Sequence, residues 1–496
     1  MSRNTMSTAS TTNTSIHLTP REKLLRQCLL ECRDSMQHVP GMKGLEMRWT
    51  GGWVRDKLLG TQSDDIDVAL STMTGFKFGE ALQQFVKANQ EKYEIEARQQ
   101  GFQAGVKNIH KIKANPEKSK SLETATTMLF GIDIDLVNLR KEVYDEKSRN
   151  PVMEFGTAEE DALRRDACVN ALFYNVDSQK VEDFTQKGLD DLRNKILRTP
   201  LAPYQTFKDD PLRILRLIRF AARLGFTIQD DALKAMQEPS VHEALTHKIS
   251  RERVLIEIEK IMKGPRPYDG LKQIYDLGLY MTVFGQARVK GADYAVAMGS
   301  LKQILEDCSS ICLALRPKED IAMAWILTAY VPYRDSATEG LNAARKQLSV
   351  SNAVLKVLEG AMKHRDVIDK LVQKTDSSRA TRAEVGMALR NCGTSWRFHV
   401  LYALLCETVD HDFREVVRRY GSFINFVDTE HLYDAADMKQ LVKGNEIVEI
   451  LGAKVGGSWL KPVIDQVVEW QFANPDASAE DARAMVAARK DEFKRG

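Results

Sequence analysis

Cysteine is scarce in this 496-residue chain, and the seven present (Cys28, Cys32, Cys168, Cys308, Cys312, Cys392 and Cys406) include no CxxC pair. The spacing therefore suggests neither a zinc site nor a secreted disulfide framework, and a reducing compartment fits best. Cys28/Cys32 and Cys308/Cys312 are i,i+4 pairs in helical patterns, which predicts burial on one helix face. No run approaches the ~20 apolar residues that span a bilayer, so an integral membrane protein is excluded. Neither sign of charge dominates, with 71 Lys and Arg against 69 Asp and Glu. A formal net charge of +2 argues against coating nucleic acid by bulk charge, yet leaves room for a local basic groove. The first twenty residues contain no acid and are crowded with Ser and Thr, like a mitochondrial presequence. Arg3 is their only basic residue, so a plain disordered tail fits equally.

What is present is ordinary globular material: 43% hydrophobic and 28% charged residues exclude collagen-like, mucin-like and wholly disordered classes. The length predicts about three structural units. Thr19-Pro20-Arg21-Glu22 reads as a helix start running to about Gln37. Strands are expected at 45–50, 66–70, 93–98, 106–112, 122–130 and 132–139, with helices at 54–59 and 76–86. From Ala158 onward strand signals nearly vanish. Helical patterns cover 162–174, 210–224, 230–237, 251–262 and 268–276, and breaks fall at Pro317, Pro332, Gly421 and Gly456-Gly457. The pattern is α+β: a mixed head and then a long helical remainder.

The densest feature is Gly51-Gly52-Trp53-Val54-Arg55-Asp56, followed by Ser63-Asp64-Asp65-Ile66-Asp67-Val68. Two glycines between a strand and a helix let backbone N–H groups approach phosphate oxygens. Residues i and i+2 of a strand share a face, so Asp65 and Asp67 can grip two divalent ions about 3.5–4 Å apart. Asp135 is a third carboxylate on a strand. Asp133 shares its face, so a solvated acidic strand end is the competing explanation there.

These residues resemble the first motif of the tRNA nucleotidyltransferases, the CCA-adding enzymes of the polymerase β-like superfamily. The likeness continues in order. Asp161 through Leu172, with Arg164, Arg165, Asp166 and Asn170, resembles the second motif, and Gly188–Thr199 the third. Asp209-Asp210-Pro211-Leu212-Arg213 resembles the fourth, and Ser250–Lys260 the fifth. The layout is that of the class II, bacterial and eukaryotic type, nearest to the yeast and fungal enzymes. Cys168 replaces a usual Thr and Asp209 a usual Glu, which bears on a hydroxyl contact and on one carboxylate's reach.

The resemblance implies a polymerase β-like head with a mixed sheet at 21–185, a helical neck at 186–285, and a helical body and tail at 286–496. It implies catalytic roles for Asp65, Asp67 and Asp135, and two Mg2+ ions on Asp65 and Asp67. Contacts to CTP and ATP are implied at Gly51, Gly52, Arg55, Arg164, Asp166, Asn170, Asp210 and Arg213. The segment Gly188–Thr199 is the family's lever between CTP and ATP selection. Asp210 and Arg213, i,i+3 and expected on one helix face, stand in place of a nucleic-acid template. The carboxylate accepts from the amino group that cytosine and adenine share, and the guanidinium donates to ring acceptors. Asp209 is expected to orient Arg213, and Arg216 and Arg219 to serve as scaffold or phosphate contacts.

For RNA, one basic stretch is Lys107, Lys111, Lys113, Lys118 and Lys120, which a solvated charge run explains as well. Another surrounds Lys439, Lys443 and the glycine turns up to Trp459, and resembles the tail that receives the tRNA elbow. His411-Asp412 lacks partner ligands at suitable spacing, so an HD-type metal hydrolase is rejected. The expected activity is template-independent addition of C, C and A to tRNA by a monomer of the cytoplasm, nucleus and mitochondrion. The alternatives are CC-only or A-only addition and a bacterial-type poly(A) polymerase. A non-catalytic tRNA-binding protein is more distant, since both metal carboxylates are intact.

Overall fold

A computed structural model describes residues 15–63, 65–104, 110–112, 124–143, 152–285 and 291–493. Asp64, most of the N-terminal tail, and Lys107, Lys113, Lys118 and Lys120 lie outside them, while Lys111 falls on a short strand. The chain divides into two compact units, Met1–Ile249 and Ser250–Gly496.

The first unit opens with α1 (Pro20–Ser35), starting where the sequence predicts, and a capping box joins Thr19 and Glu22. Cys28 and Cys32 are buried on this helix. Then come β1 (Met47–Thr50), α2 (Gly52–Leu58), β2 (Asp65–Leu70), α3 (Gly75–Ala88) and α4 (Gln90–Gln99). Next are β3 (His110–Ile112), β4 (Thr124–Leu129), β5 (Ile132–Asn138), β6 (Arg140–Val143) and β7 (Val152–Phe155). α5 (Ala158–Leu163), β8 (Phe173–Asn175) and β9 (Val181–Glu182) follow. Seven strands form one mixed sheet in the order β3-β4-β5-β2-β1-β8-β9, and β6 with β7 makes a separate hairpin. Among the described residues, only the β2–β5 pair of that sheet is parallel.

Along β5 the side chains alternate, with Ile132, Ile134 and Leu136 buried and Asp133 and Asp135 exposed. A half-covered strand requires that period of two. Behind the sheet, Trp49, Trp53 and Tyr174 form an aromatic cluster with centroids 4.8–5.6 Å apart. The Trp53 indole donates to buried Glu22 at 2.9 Å, and Lys57 bonds the same carboxylate at 2.8 Å, so the α1 cap also anchors α2.

Two expected elements differ. The segment 93–98, predicted as a strand, lies inside α4, because Tyr93 and Ala97 are buried one helical turn apart while Ile95 is 47% exposed. The helical pattern at 162–174 ends early: α5 stops at Leu163, and Phe173–Asn175 becomes a sheet strand against Arg48–Thr50.

Beyond β9 lie α6 (Gly188–Asn194), β10 (Ile196–Leu197), α7 (Pro203–Asp209), α8 (Leu212–Leu224), β11 (Thr227–Ile228), α9 (Asp230–Met236) and α10 (Pro239–Lys248). The short parallel β10–β11 pair departs from an all-helical neck. On α8, Ile214, Leu215, Leu217 and Ile218 are fully buried and Gly225 closes the helix in the left-handed region.

The second unit is helical throughout its regular elements among the described residues. Gly421 does not break it: the helix Phe413–Thr429 runs through, since buried Tyr420, Phe423, Ile424 and Val427 outweigh the ~1 kcal/mol helix cost of glycine. Its last helices close on a small core of Val442, Ile447, Leu451, Val463, Val467, Ala482, Val486 and Phe493, with Trp459 packed against it. No helix among the described residues is long and apolar enough to cross a membrane.

Candidate active site

Asp65 and Asp67 project from one face of β2, and Ile66 between them is buried on the other. The parallel register sets Asp67 beside Asp135 and Asp65 beside Asp133, so four carboxylates share one end of two adjacent strands. Burial raises the Asp67 carboxyl to about 6; Arg165 opposes the shift, and Asp135, Asp65 and Asp161 add to it. Such a cluster of hard oxygen donors suits a divalent cation of the magnesium type, which takes one or two carboxylates with substrate phosphates.

Gly51 sits at φ +72°, in the turn from β1 into α2, and a Cβ there would lie 3.1 Å from Asp67 Oδ2 and 3.4 Å from Arg165 Nη1. Both the backbone angle and the close approach call for glycine. Gly52 begins α2.

Arg164 is the C-terminal cap of α5 and Arg165 follows it, outside the helix that the pattern at 162–174 predicts. Both are ordered by Asp161, which is 2% exposed. Arg164 donates to its Oδ1 at 2.6 and 3.0 Å, and Arg165 to its Oδ2 at 2.8 and 3.1 Å. Burial works to raise the Asp161 pKa, but the two arginines outweigh it and hold the group below the usual range. Arg165 also donates to the Asn170 carbonyl at 3.0 Å and stacks over Phe173.

Asp166 and Asn170 meet, with Asn170 Nδ2 donating to Asp166 Oδ1 at 3.0 Å. Arg216 donates to Asp166 Oδ2 at 2.7 Å through Nε, and its Nη2 is 2.6 Å away. Burial would raise Asp166, yet Arg216 and Asn170 together bring it down to about 2. Arg55 is buried, donating to Asp56 at 2.8 Å and to Asn170 Oδ1 at 2.5 Å. Arg223 adds a bond to Asp56 at 3.3 Å. The structure thus joins α2, the 166–170 turn and α8 in one polar network.

Asp210 and Arg213 do not lie on one helix face. Asp210 is extended (φ −130°, ψ 91°), precedes Pro211, and accepts the Leu212 N–H at 3.2 Å, whereas Arg213 is buried in the first turn of α8. Pro211 disfavours helical backbone at the residue before it, so α8 cannot start earlier. The two remain adjacent, through a 3.1 Å bond from the Arg213 N–H to the Asp210 carbonyl. Asp209 accepts from Gln205 at 2.7 Å. Cys168 is buried, its thiol raised to about 12 by burial. Asp412, rejected as a metal ligand, caps the helix Phe413–Thr429 by accepting two backbone N–H groups.

Sequence reasoning missed Asp161 and the Arg216–Asp166 bond as organisers. The i,i+3 and i,i+4 spacing of Asp161 to Arg164 and Arg165 was the available signal for the first. No local signal marks the second, since fifty positions separate its partners.

Residues 47–198 match the family model for the poly A polymerase head domain, and 225–288 match that for a probable RNA and SrmB-binding site of polymerase A. The chain is 36% identical to a mitochondrial CCA tRNA nucleotidyltransferase of Candida glabrata, covering 90% of this chain and 91% of the relative. It is 34% identical to the mitochondrial CCA tRNA nucleotidyltransferase of Saccharomyces cerevisiae, covering 88% and 87%. The fold matches the Thermotoga maritima CCA-adding enzyme complexed with tRNA, at TM-score 0.63, 18% identity and 95% and 96% coverage. It also matches the Bacillus stearothermophilus CCA-adding enzyme in complex with CTP, at TM-score 0.56, 20% identity and 96% and 100% coverage.

Proposed function

Because the chain belongs to the CCA tRNA nucleotidyltransferases, we propose that it adds C, C and A to tRNA 3′ ends from CTP and ATP without a nucleic-acid template. The observation that carries this reading is the carboxylate set at the end of β2 and β5, beside the Gly51 turn and the Asp161-ordered arginines. Asp65 and Asp67 are the residues that would hold Mg2+, with Asp135 alongside. Bound there, Mg2+ supplies charge neutralisation on the triphosphate and lowers the pKa of an attacking 3′-hydroxyl.

The remaining roles belong to the chain's own groups. Gly51 and Gly52 keep side-chain bulk away from the phosphates. Arg164 and Arg165, held at fixed angles by Asp161, present guanidinium groups to phosphate oxygens, whose geometry a planar fork matches. Asp166 and Asn170 face the ribose, and Arg55 acts through Asn170 as a positioning residue. At the base, Asp210 accepts from the exocyclic amine that cytosine and adenine have in common, and Arg213 donates to the ring. Uracil and guanine present a carbonyl where Asp210 needs a donor. The lysines and glycine turns at 439–459 receive the tRNA elbow. The mitochondrial names of two relatives support a mitochondrial pool of the enzyme.

The test uses tRNA lacking CCA, lacking CA, or lacking only the final A, each given CTP, ATP or both. Full activity adds three nucleotides to the first substrate and stops. CTP alone stops after two additions, and ATP alone extends only tRNA ending in CC. Additions limited to CC or to A would replace this reading with a partial activity, and runs of A would make the protein a poly(A) polymerase.

A further inference from the structure

Three helices of the second unit converge on a soft-ligand cluster that shares no residue with the carboxylate site. His364 comes from the helix Asn352–Asp376, Cys392 ends the helix Arg382–Cys392, and His399 lies in the helix Trp396–Asp410. Their candidate ligand atoms all lie within 4.8 Å of one another. His364 Nδ1 is 3.1 Å from Cys392 Sγ, and the two imidazole centroids are 5.4 Å apart.

His399 is the informative member. It is only 3% exposed, and neither Nδ1 nor Nε2 has a hydrogen-bond partner among the described residues. An imidazole buried in that way carries the desolvation cost of an unmatched polar group. The helix opposite yields space for it: a Cβ at Gly360 would fall 2.6 Å from both Cε1 and Nε2 of the ring. Glycine inside a helix is itself destabilising relative to alanine. Two unfavourable features thus meet at one point, and both become intelligible if the ring has a ligand.

We propose that His364, Cys392 and His399 bind a zinc ion that ties the three helices together. Two imidazoles and a thiolate are ligands that zinc prefers, and a fourth position remains for water. The cluster offers no carboxylate oxygen, which sets it apart from a magnesium site. On binding, the Cys392 S–H bond breaks, its proton passes to solvent, and the sulfur lone pair forms the bond to zinc, with no change of oxidation state. A ion held by residues from three helices adds its binding free energy to folding. The nucleotide chemistry does not run through it, so its role is structural.

Cobalt(II) is the probe. The full chain, stripped with a chelator and titrated with cobalt, is expected to develop a thiolate-to-cobalt charge-transfer band that saturates at a single equivalent and disappears on adding zinc. Cys392→Ser removes this band and His364→Asn weakens cobalt binding roughly tenfold or more. Asp67→Ala retains the band, because carboxylate-bound cobalt gives no sulfur transition. Zinc is also expected to raise the thermal midpoint of the wild-type chain but not of Cys392→Ser. His364 is half-buried, so its variant keeps the test decisive should Cys392→Ser, at a buried position, fail to fold. No charge-transfer band, a band that survives in Cys392→Ser, or equal zinc stabilisation of both proteins would overturn the proposal.

Discussion

Asp67 and Asp135 stand side by side in the parallel β2–β5 register, each with a second aspartate two residues away on the same face. Cross-strand partners project to the same side of a sheet, so the in-register β2–β5 pairing puts all four carboxylates on one face. The arrangement concentrates negative charge on one face, and burial together with the neighbouring aspartates raises the Asp67 carboxyl to about 6. Asp135→Asn removes one charge without changing shape. We expect it to lower kcat at least tenfold for both C and A addition and to raise the Mg2+ concentration needed for half-maximal rate. Rates measured against Mg2+ concentration check this, and an unchanged Mg2+ requirement would take Asp135 out of the site.

Asp161 holds two arginines at once while almost fully buried. Removing one member of such a network leaves charge without its partner, a loss of about 3–5 kcal/mol. Asp161→Ala should therefore unfold at a lower temperature and show raised KM for CTP and ATP alike. A variant that loses stability while both KM values stay constant would reduce Asp161 to a scaffold.

The Asp210 carboxylate is held at the start of α8 by the Leu212 N–H. Asp210→Ala is expected to relax base choice, with UTP and GTP entering at rates nearer those of CTP and ATP. One good bidentate contact discriminates by ~1–3 kcal/mol, so the shift should be roughly tenfold to a hundredfold. Competition between labelled triphosphates reads it directly. Continued rejection of UTP and GTP would remove Asp210 from the template role.

Asp369 in the second unit accepts from the Tyr420 hydroxyl at 3.0 Å and lies 4.0 Å from Arg365. Burial, with Glu407 adding to it, raises its carboxyl to about 7. The folded state therefore binds this proton more tightly than the unfolded chain. Its contribution to stability is complete below about pH 4 and is lost as pH rises through about 7. Asp369→Asn keeps an acceptor for Tyr420 and does not ionise, so it should gain on the wild type by about 2 kcal/mol between pH 4 and 7, after allowance for partial exposure. Denaturant melts at several pH values test this, and a constant difference would contradict it.

Much of the head was legible because its signals are local. The i,i+2 aspartates around buried Ile66 read as a strand with one functional face, and β2 has that form. Tyr93, Ile95 and Ala97 misled because alternating letters also satisfy an i,i+4 helical pair, and only burial separates the two. The turn at 164–172 was not legible as such. Its backbone is fixed by side chains, including Arg165 on the Asn170 carbonyl, and Phe173–Asn175 is a strand seated between Val181–Glu182 and the distant Arg48–Thr50, over a hundred positions away. Asp210 was a missed local signal, since Pro211 follows it. The His364, Cys392 and His399 cluster has no sequence spacing that would reveal it, because each residue comes from a different helix.

The most direct test of the account is Asp67→Ala. Incorporation of C and of A into tRNA lacking CCA, and the affinity for that tRNA, should be measured on one preparation. Both incorporations should vanish while tRNA affinity stays within about twofold of the wild type, since one residue of the carboxylate set is asked to act on chemistry and not on RNA binding. A parallel loss of tRNA binding, or nucleotide addition that persists, would contradict the assignment of this site.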